Sequence, residues 1–344
     1  MNQPKKICVW QTAFLGDAVL TLPLIQALAG RYGGAEIHLV VRKGLGSLFA
    51  PHPDIANVLE FDKRGANKGL PGALRMAAAL SAYEFDLFVS AHASFRSGLI
   101  ARLSRTAIRI GYADPWFNRM LYTRVVDRRF DALEEIERLL ELAAPLGITG
   151  ADPWPRLALD TRAAQKADAF WHKRIRHKTV GIHPGSVWPT KRWPAEHFAR
   201  TVQMLLQDGH QVLVFAGPGE TGVSAEVVRL SGGKDHPGLI DLSGALSLPE
   251  LAAYLGRLDC YLTNDSGPMH LAWVQKTPVV ALFGPTVRSL GFYPRGDTSV
   301  VMETGLACRP CGLHGGTTCP ERHHRCMKEI SPDAVHAAIH QILD

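Results

Sequence analysis

Twice along this chain, short apolar runs with the length of buried strands alternate with helix-like segments, and no other feature restricts the possible folds so strongly. In the first half the runs are "KICVWQ", "EIHLVV", "NVLEF" and "FDLFVSAH"; in the second they are "TVGIH", "QVLVFAG", "GLIDLSG", "CYLTND" and "PVVALFG". Such alternation is the grammar of parallel βαβ units, whose strands are covered on both faces and therefore read as continuous apolar runs. It breaks at "GITGADPWPRLAL" (147–159), where glycine, proline and tryptophan replace periodicity. The expected fold class is α/β, with two Rossmann-like parallel-sheet domains facing a central cleft. The expected divisions are residues 1–160, a linker helix over 161–176, residues 177–331 and a closing helix over 332–344. Ser331 as N-cap, Pro332 at the first helical position, and Val335, Ile339 and Ile342 at helical spacing define that last helix. A helix is also expected from about Asp17 to Tyr32, kinked by Pro23.

The 344 residues suit two domains at roughly 150 residues each. A hydrophobic fraction of 46% and a charged fraction of 20% exclude disorder and fibrous repeats. A net charge of +6 points to anionic ligands. Lys and Arg are scattered singly and in pairs, with no basic run interleaved with aromatics, so a small anion is expected and nucleic acid is not. The N-terminus "MNQPKKICVWQTAFLGDAVLTLPLIQALAG" has the outline of a signal peptide, but Gln11 and Asp17 interrupt it. No apolar window of about 18 residues is present to span a bilayer. The chain reads as cytoplasmic and in touch with a membrane surface.

Ligands of open α/β sheets collect beyond the C-terminal ends of the strands, so the loops there are the candidate sites. After the first strand, Gly16 and Asp17 stand at a helix start. Asp17 reads either as a helix cap or as a carboxylate placed to take a proton from a hydroxyl. After "TVGIH", the stretch "HPGSVWPTKRWP" (183–194) supplies Gly185 for close backbone approach, Ser186 for a hydroxyl, and Lys191 and Arg192 for charge before a helix N-terminus. It reads as a diphosphate cradle or as a solvated surface turn. "NDSGPMH" offers Asp265, Ser266, Gly267 and His270 as a second anion cradle, His270 being equally readable as a core residue. In "FAGPGETG", Glu220 is a candidate for ribose hydroxyls or a plain loop charge. No D-x-D occurs, so the usual carboxylate pair for holding a divalent ion on a sugar-nucleotide diphosphate is missing from the sequence. Walker and GxGxxG patterns are missing from the cradle loops too.

Taken together, "FLGDAVLTLPLIQAL", "FDLFVSAHASFRSGLIARL", "HPGSVWPTKRWPAEHF", "NDSGPMHLAWVQKTPVVALFGPT" and "CRPCGLHGGTTCPERHHRCM" resemble, in order, the landmarks of the lipopolysaccharide heptosyltransferases of glycosyltransferase family 9. Thr-Lys-x-Trp-Pro preceded by Pro-Gly-Ser looks most like the second heptosyltransferases of inner-core assembly. The resemblance implies a GT-B fold and an inverting, metal-independent transfer. ADP-heptose would bind the C-terminal half, and a lipid A-linked inner-core acceptor the N-terminal half. It implies Asp17 as general base and Lys191 as the cation on the donor phosphates. Gly185, Ser186, Asp265, Ser266, Gly267 and His270 would be donor contacts, and Glu220 a looser match for which Glu226 competes. Because the implied acceptor is anionic, Gly16, Arg64 and Arg96 are the acceptor-side candidates, with Arg42, Lys63 and Lys68 as further cations. The implied partners are ADP-heptose, the lipid-linked oligosaccharide and the cytoplasmic membrane face. A relative using another nucleotide sugar and an inactive zinc-stabilised binding module are the alternatives.

Six cysteines are present, and Cys308, Cys311, Cys319 and Cys326 follow a C-x2-C-x7-C-x6-C spacing with His314, His323 and His324 nearby. Structural zinc, disulfide pairing and reduced structural thiols all remain open on that spacing, and no metal is assigned.

Overall fold

Each half of the chain builds its own six-stranded parallel sheet in the computed structural model, which describes residues 3–233 and 236–344. The division falls between Met1–Ala158 and Leu159–Asp344. In the first unit the strands are β1 (Lys6–Gln11), β2 (Glu36–Arg42), β3 (Asn57–Phe61), β4 (Leu87–Ser90), β5 (Ile108–Tyr112) and β6 (Arg124–Val126). Their order is β3-β2-β1-β4-β5-β6, all parallel. The second unit contains β7 (Thr179–His183), β8 (Gln211–Val214), β9 (Leu239–Asp241), β10 (Cys260–Asn264), β11 (Val279–Phe283) and β12 (Ser299–Glu303). Its order, β12-β11-β10-β7-β8-β9, is the same topology read from the other edge. In both, the order reverses beside the first strand, and that switch point is where a doubly wound sheet opens a crevice for ligands.

The central strands are apolar because helices cover both their faces; β7, β10 and β11 are buried throughout. Gly181 lies in the middle of β7, where a Cβ would run into Leu258, Phe215 and Tyr261. Strands β5, β6 and β12 fall outside the sequence expectation. β6 and β12 are half-exposed edge strands without a continuous apolar run, and β5 begins half-exposed at Ile108 and Arg109.

The expected first helix is two: Leu15–Leu20 and Leu22–Arg31, separated at Thr21. Pro23 has no N–H to return to the preceding turn, so the backbone restarts with Pro23 in the first turn of the second helix. The helix Thr161–Arg174 is capped by the Asp160 carboxylate, which accepts from the Ala163 amide. Its Phe170 and Trp171 pack on Tyr254, within the second unit. The closing helix Pro332–Leu343 starts as expected, Ser331 Oγ accepting from the Ala334 amide. It buries Val335, Ile339 and Leu343 in the second unit's core, with Ile342 at the margin.

Candidate active site

Register explains why the two second-unit loops meet. Thr263 pairs with His183, so β7 and β10 end level and the loops Pro184–Ser186 and Asp265–Gly267 leave side by side at the switch point. Asn264, the last residue of β10, joins them: its Nδ2 donates to the carbonyls of Pro184 (2.9 Å) and Gly185 (3.2 Å), and its Oδ1 accepts from the Trp193 amide (3.0 Å). Lys191, only 9% exposed, donates through Nζ to Asp265 Oδ2 at 2.5 Å. Thr286 Oγ1 donates to the same oxygen at 2.6 Å. Asp265 therefore faces the Lys191 ammonium and the Thr286 hydroxyl. Arg192 Nε donates to the Ser186 carbonyl at 2.8 Å, which ties the two ends of the turn together. Trp193 is buried, with Nε1 donating to the Ile330 carbonyl, whereas Trp188 is half-buried.

Glu220 stands against Gly185 so closely that a Cβ there would meet its carboxylate at 2.5 Å. His183 joins Tyr261 to Glu220, with Nδ1 2.9 Å from the Tyr261 hydroxyl and Nε2 3.1 Å from Glu220 Oε2. Burial opposes charge on Glu220, but the His183 hydrogen bond and charge, the Gly217 amide and Arg192 together outweigh it and hold its pKa below the usual carboxylate range. Glu226, by contrast, is exposed and paired with Arg229. Ser266 opens the short helix Gly267–Trp273, and His270 within it is buried. Burial pushes the His270 pKa down to about 4, so the imidazole is neutral. Its Nδ1 accepts from Trp273 Nε1 at 3.0 Å, which places the ring proton on Nε2.

In the first unit, Trp10 pairs with Ser90, so the loops after β1 and β4 also leave together. Gly16 is buried and Asp17 half-buried in the helix Leu15–Leu20. Asp17 is the third residue of that helix, reaching back so that Oδ2 accepts from the Phe14 amide at 3.1 Å. That bond engages one oxygen. Loss of hydration, reinforced by the nearby Glu135 carboxylate, pushes its pKa up to about 6. Glu135 is buried with Arg138 (3.0 Å) and also bonds Arg128 (2.7 Å). Around this carboxylate the strand ends bring in cations. Burial, with Arg42 and Arg96 adding to it, lowers Lys63 to about 8, while Asp17 acts the other way. His92, beyond β4, is held down to about 3 by burial, with Lys63 and Arg128 contributing, and its Nδ1 meets Ser97 Oγ at 2.8 Å. Arg64 lies exposed in the 62–67 turn, its amide on Asp62, and Lys68 is also exposed.

Several residues of these sites escaped the sequence reading: Asn264, Thr286, His183, Arg128 and Glu135. Arg128 and Glu135 lie more than a hundred residues from Asp17, and no motif connects them. Asn264 and His183 had a visible signal, being the terminal polar residues of otherwise apolar strands.

The cysteine segment buttresses this site. Thr190 Oγ1 donates to the Gly316 carbonyl and accepts from the Gly316 amide, and His324 Nε2 lies 2.7 Å from the Thr190 carbonyl. The Cys311 amide donates to the Pro285 carbonyl, next to Thr286. All four cysteines are unpaired thiols; Cys311, Cys319 and Cys326 line a cavity of about 60 Å³ beside Thr190 and His324. Among the described residues, no three of their sulfurs come within 4.8 Å of one another.

Known proteins supply the context. The sequence profile of glycosyltransferase family 9 (heptosyltransferase) matches residues 73–313. Lipooligosaccharide heptosyltransferase 2 of Campylobacter jejuni is 26% identical over 332 residues, covering 96% of each chain. The crystal structure of the glycosyl transferase family 9 from Veillonella parvula has a TM-score of 0.86 at 24% identity and covers 98% of this chain and 97% of its own. The structure of E. coli ADP-heptose LPS heptosyltransferase II gives 0.81 at 22% identity, covering 98% of both chains. At these identities the solved structures establish the fold: the two parallel sheets are those of GT-B.

Proposed function

The chain belongs to glycosyltransferase family 9, and on that premise we propose that it is an inverting heptosyltransferase of lipopolysaccharide core assembly. Its donor in this reading is ADP-L-glycero-D-manno-heptose and its acceptor the lipid A-linked inner core. The observation that carries the reading is the buried Lys191, aimed by Asp265 and Thr286 at the switch point of the second sheet, next to the Gly185–Ser186 backbone. A buried cation beside a glycine-containing backbone turn ahead of a helix suits a diphosphate leaving group. The neutral His270, with its proton on Nε2, adds a donor, and Glu220 has a second oxygen for ribose hydroxyls.

Asp17 supplies the base. The acceptor hydroxyl attacks the anomeric carbon, its proton passes to the Asp17 carboxylate, and the bond to ADP breaks with its electrons leaving on the diphosphate held by Lys191. A carboxylate with a pKa near 6 is ionised at neutral pH yet is a stronger base than an ordinary aspartate. Lys63 and Arg128 act on Asp17, and Arg42 and Arg96 act on Lys63, a concentration of positive charge for an anionic acceptor that makes Lys63 a better candidate contact than the exposed Arg64. On the same sheet edge, Phe95, Trp116 and Met120 are 55%, 72% and 65% exposed, and Phe117 packs between Phe95 and Trp116. An exposed aromatic patch beside cations supports peripheral contact with an anionic membrane carrying the acceptor. No helix among the described residues is long and apolar enough to cross a membrane.

Release of ADP from ADP-heptose in the presence of heptose-deficient core acceptor tests the proposal, with UDP- and GDP-sugars as competing donors. Asp17→Asn is expected to lower turnover by about 10²–10⁴-fold with ADP affinity nearly unchanged. Lys191→Ala is expected to weaken both. The kcat/KM profile should fall as pH drops through about 6, because protonation removes the base. Normal turnover by Asp17→Asn would return Asp17 to helix capping, and a preference for UDP- or GDP-sugars would reassign the donor.

A further inference from the structure

A second cluster of ionisable groups lies at the N-terminal ends of the second sheet's strands, opposite the donor loops at their C-terminal ends. There the helix Ala195–Gln207 ends at Asp208, Gly209 turns through a left-handed conformation (φ 83°), and His210 leads into β8. His336 and His340 stand one turn apart on the closing helix, and both bring Nε2 to a single oxygen, Asp208 Oδ2, at 2.6 and 2.9 Å. The His210 and His340 rings are 5.7 Å apart, and His210 Nε2 is buried without a hydrogen-bond partner. Ligand atoms of Asp208, His210 and His340 all lie within 4.8 Å of one another, the one such group among the described residues. The side chains of His336, His340 and Asp208 are 20%, 37% and 33% exposed, so an ion can enter without unfolding.

We propose that Asp208, His210, His336 and His340 form a binding site for a divalent transition-metal ion of the zinc class. Imidazole-rich sets with one carboxylate favour zinc and its neighbours over magnesium or calcium, which prefer all-oxygen shells. Bonds of about 2 Å in tetrahedral geometry set ligand atoms roughly 3.3 Å apart; Asp208 Oδ2 already lies 2.6 and 2.9 Å from His336 and His340, and a ligand atom of His210 lies within 4.8 Å of those of Asp208 and His340, so small side-chain shifts complete the set. The ion replaces the protons now shared between Asp208 and the two imidazoles and gives His210 Nε2 a partner. Two helix C-termini converge here, since His340 is in the last turn of its helix and Asp208 ends the other, and their partial negative charge favours a cation. The site is structural. It fastens the closing helix to the turn before β8 and leaves the transfer reaction metal-independent.

The test uses the full-length chain, stripped with chelator and titrated first with Co²⁺ and then with Zn²⁺. Expected are visible bands of four-coordinate cobalt without an intense thiolate band in the near ultraviolet, displacement by one equivalent of Zn²⁺, and a thermal midpoint that rises with Zn²⁺. His340→Ala should weaken Zn²⁺ affinity tenfold or more, and so should His336→Gln, a milder change that retains the helix if the alanine variant is poorly folded. Cys308→Ser combined with Cys311→Ser should leave the affinity unchanged. Unaltered Zn²⁺ binding in both histidine variants, a thiolate-dominated cobalt spectrum lost with the cysteines, or no binding at micromolar metal would each overturn the assignment.

Discussion

Two opposing influences meet at Asp17. Its carboxylate accepts the Phe14 amide, as a helix-opening residue should, yet burial and Glu135 raise its pKa to about 6 from an ordinary 3.8. The folded state thus prefers the protonated acid, and above pH 6 the ionised form costs on the order of 3 kcal/mol of stability, relieved as pH falls toward 4. Asp17→Asn should therefore melt higher than the parent chain at pH 8, and the difference should shrink through pH 6 and vanish near pH 4. A gap that stays constant with pH would mean that the carboxylate is not destabilised. Local pattern could place Asp17 and Lys191 at strand ends. It could not supply Asp265 as the partner of Lys191, or Glu135 as the group that presses on Asp17, because those contacts join residues 74 and 118 positions apart.

The helices and strands that were legible are those whose faces are dictated by a single dominant neighbour. The closing helix is an example: Ser331 starts it, and Val335, Ile339 and Leu343 face the core. Ser331→Ala should cost about 1 kcal/mol through loss of the cap, and Ile339→Ala about 2–5 kcal/mol through the cavity it leaves, both measurable by urea unfolding. Elements with mixed surroundings were not legible. Strands β6 and β12 are half-exposed edges, and the pattern of a buried parallel strand does not apply to them. Pro23 announced an interruption, but its position in the first turn of a new helix depends on where Thr21 releases the chain.

For the whole molecule, the repeated strand order gives each unit its own switch point, and the candidate residues of each unit lie there. ADP should then act within the second unit. Hydrogen exchange with saturating ADP is expected to slow at residues 184–191 and 264–270 and to remain unchanged at residues 12–18; equal protection of both sets would assign the nucleotide to both units. At 100 times its Kd, a ligand of this kind stabilises the native state by about 2.7 kcal/mol. The α/β class, the break near residue 158 and the strand-end loops that carry the candidate residues were written in the order of the residues, because apolar period and turn composition are local properties. Charge states and partners were decided by folding. They depend on which side chains from distant strands share a desolvated space, as Lys191 shares one with Asp265 and Thr286, and as Asp208 gathers His336 and His340.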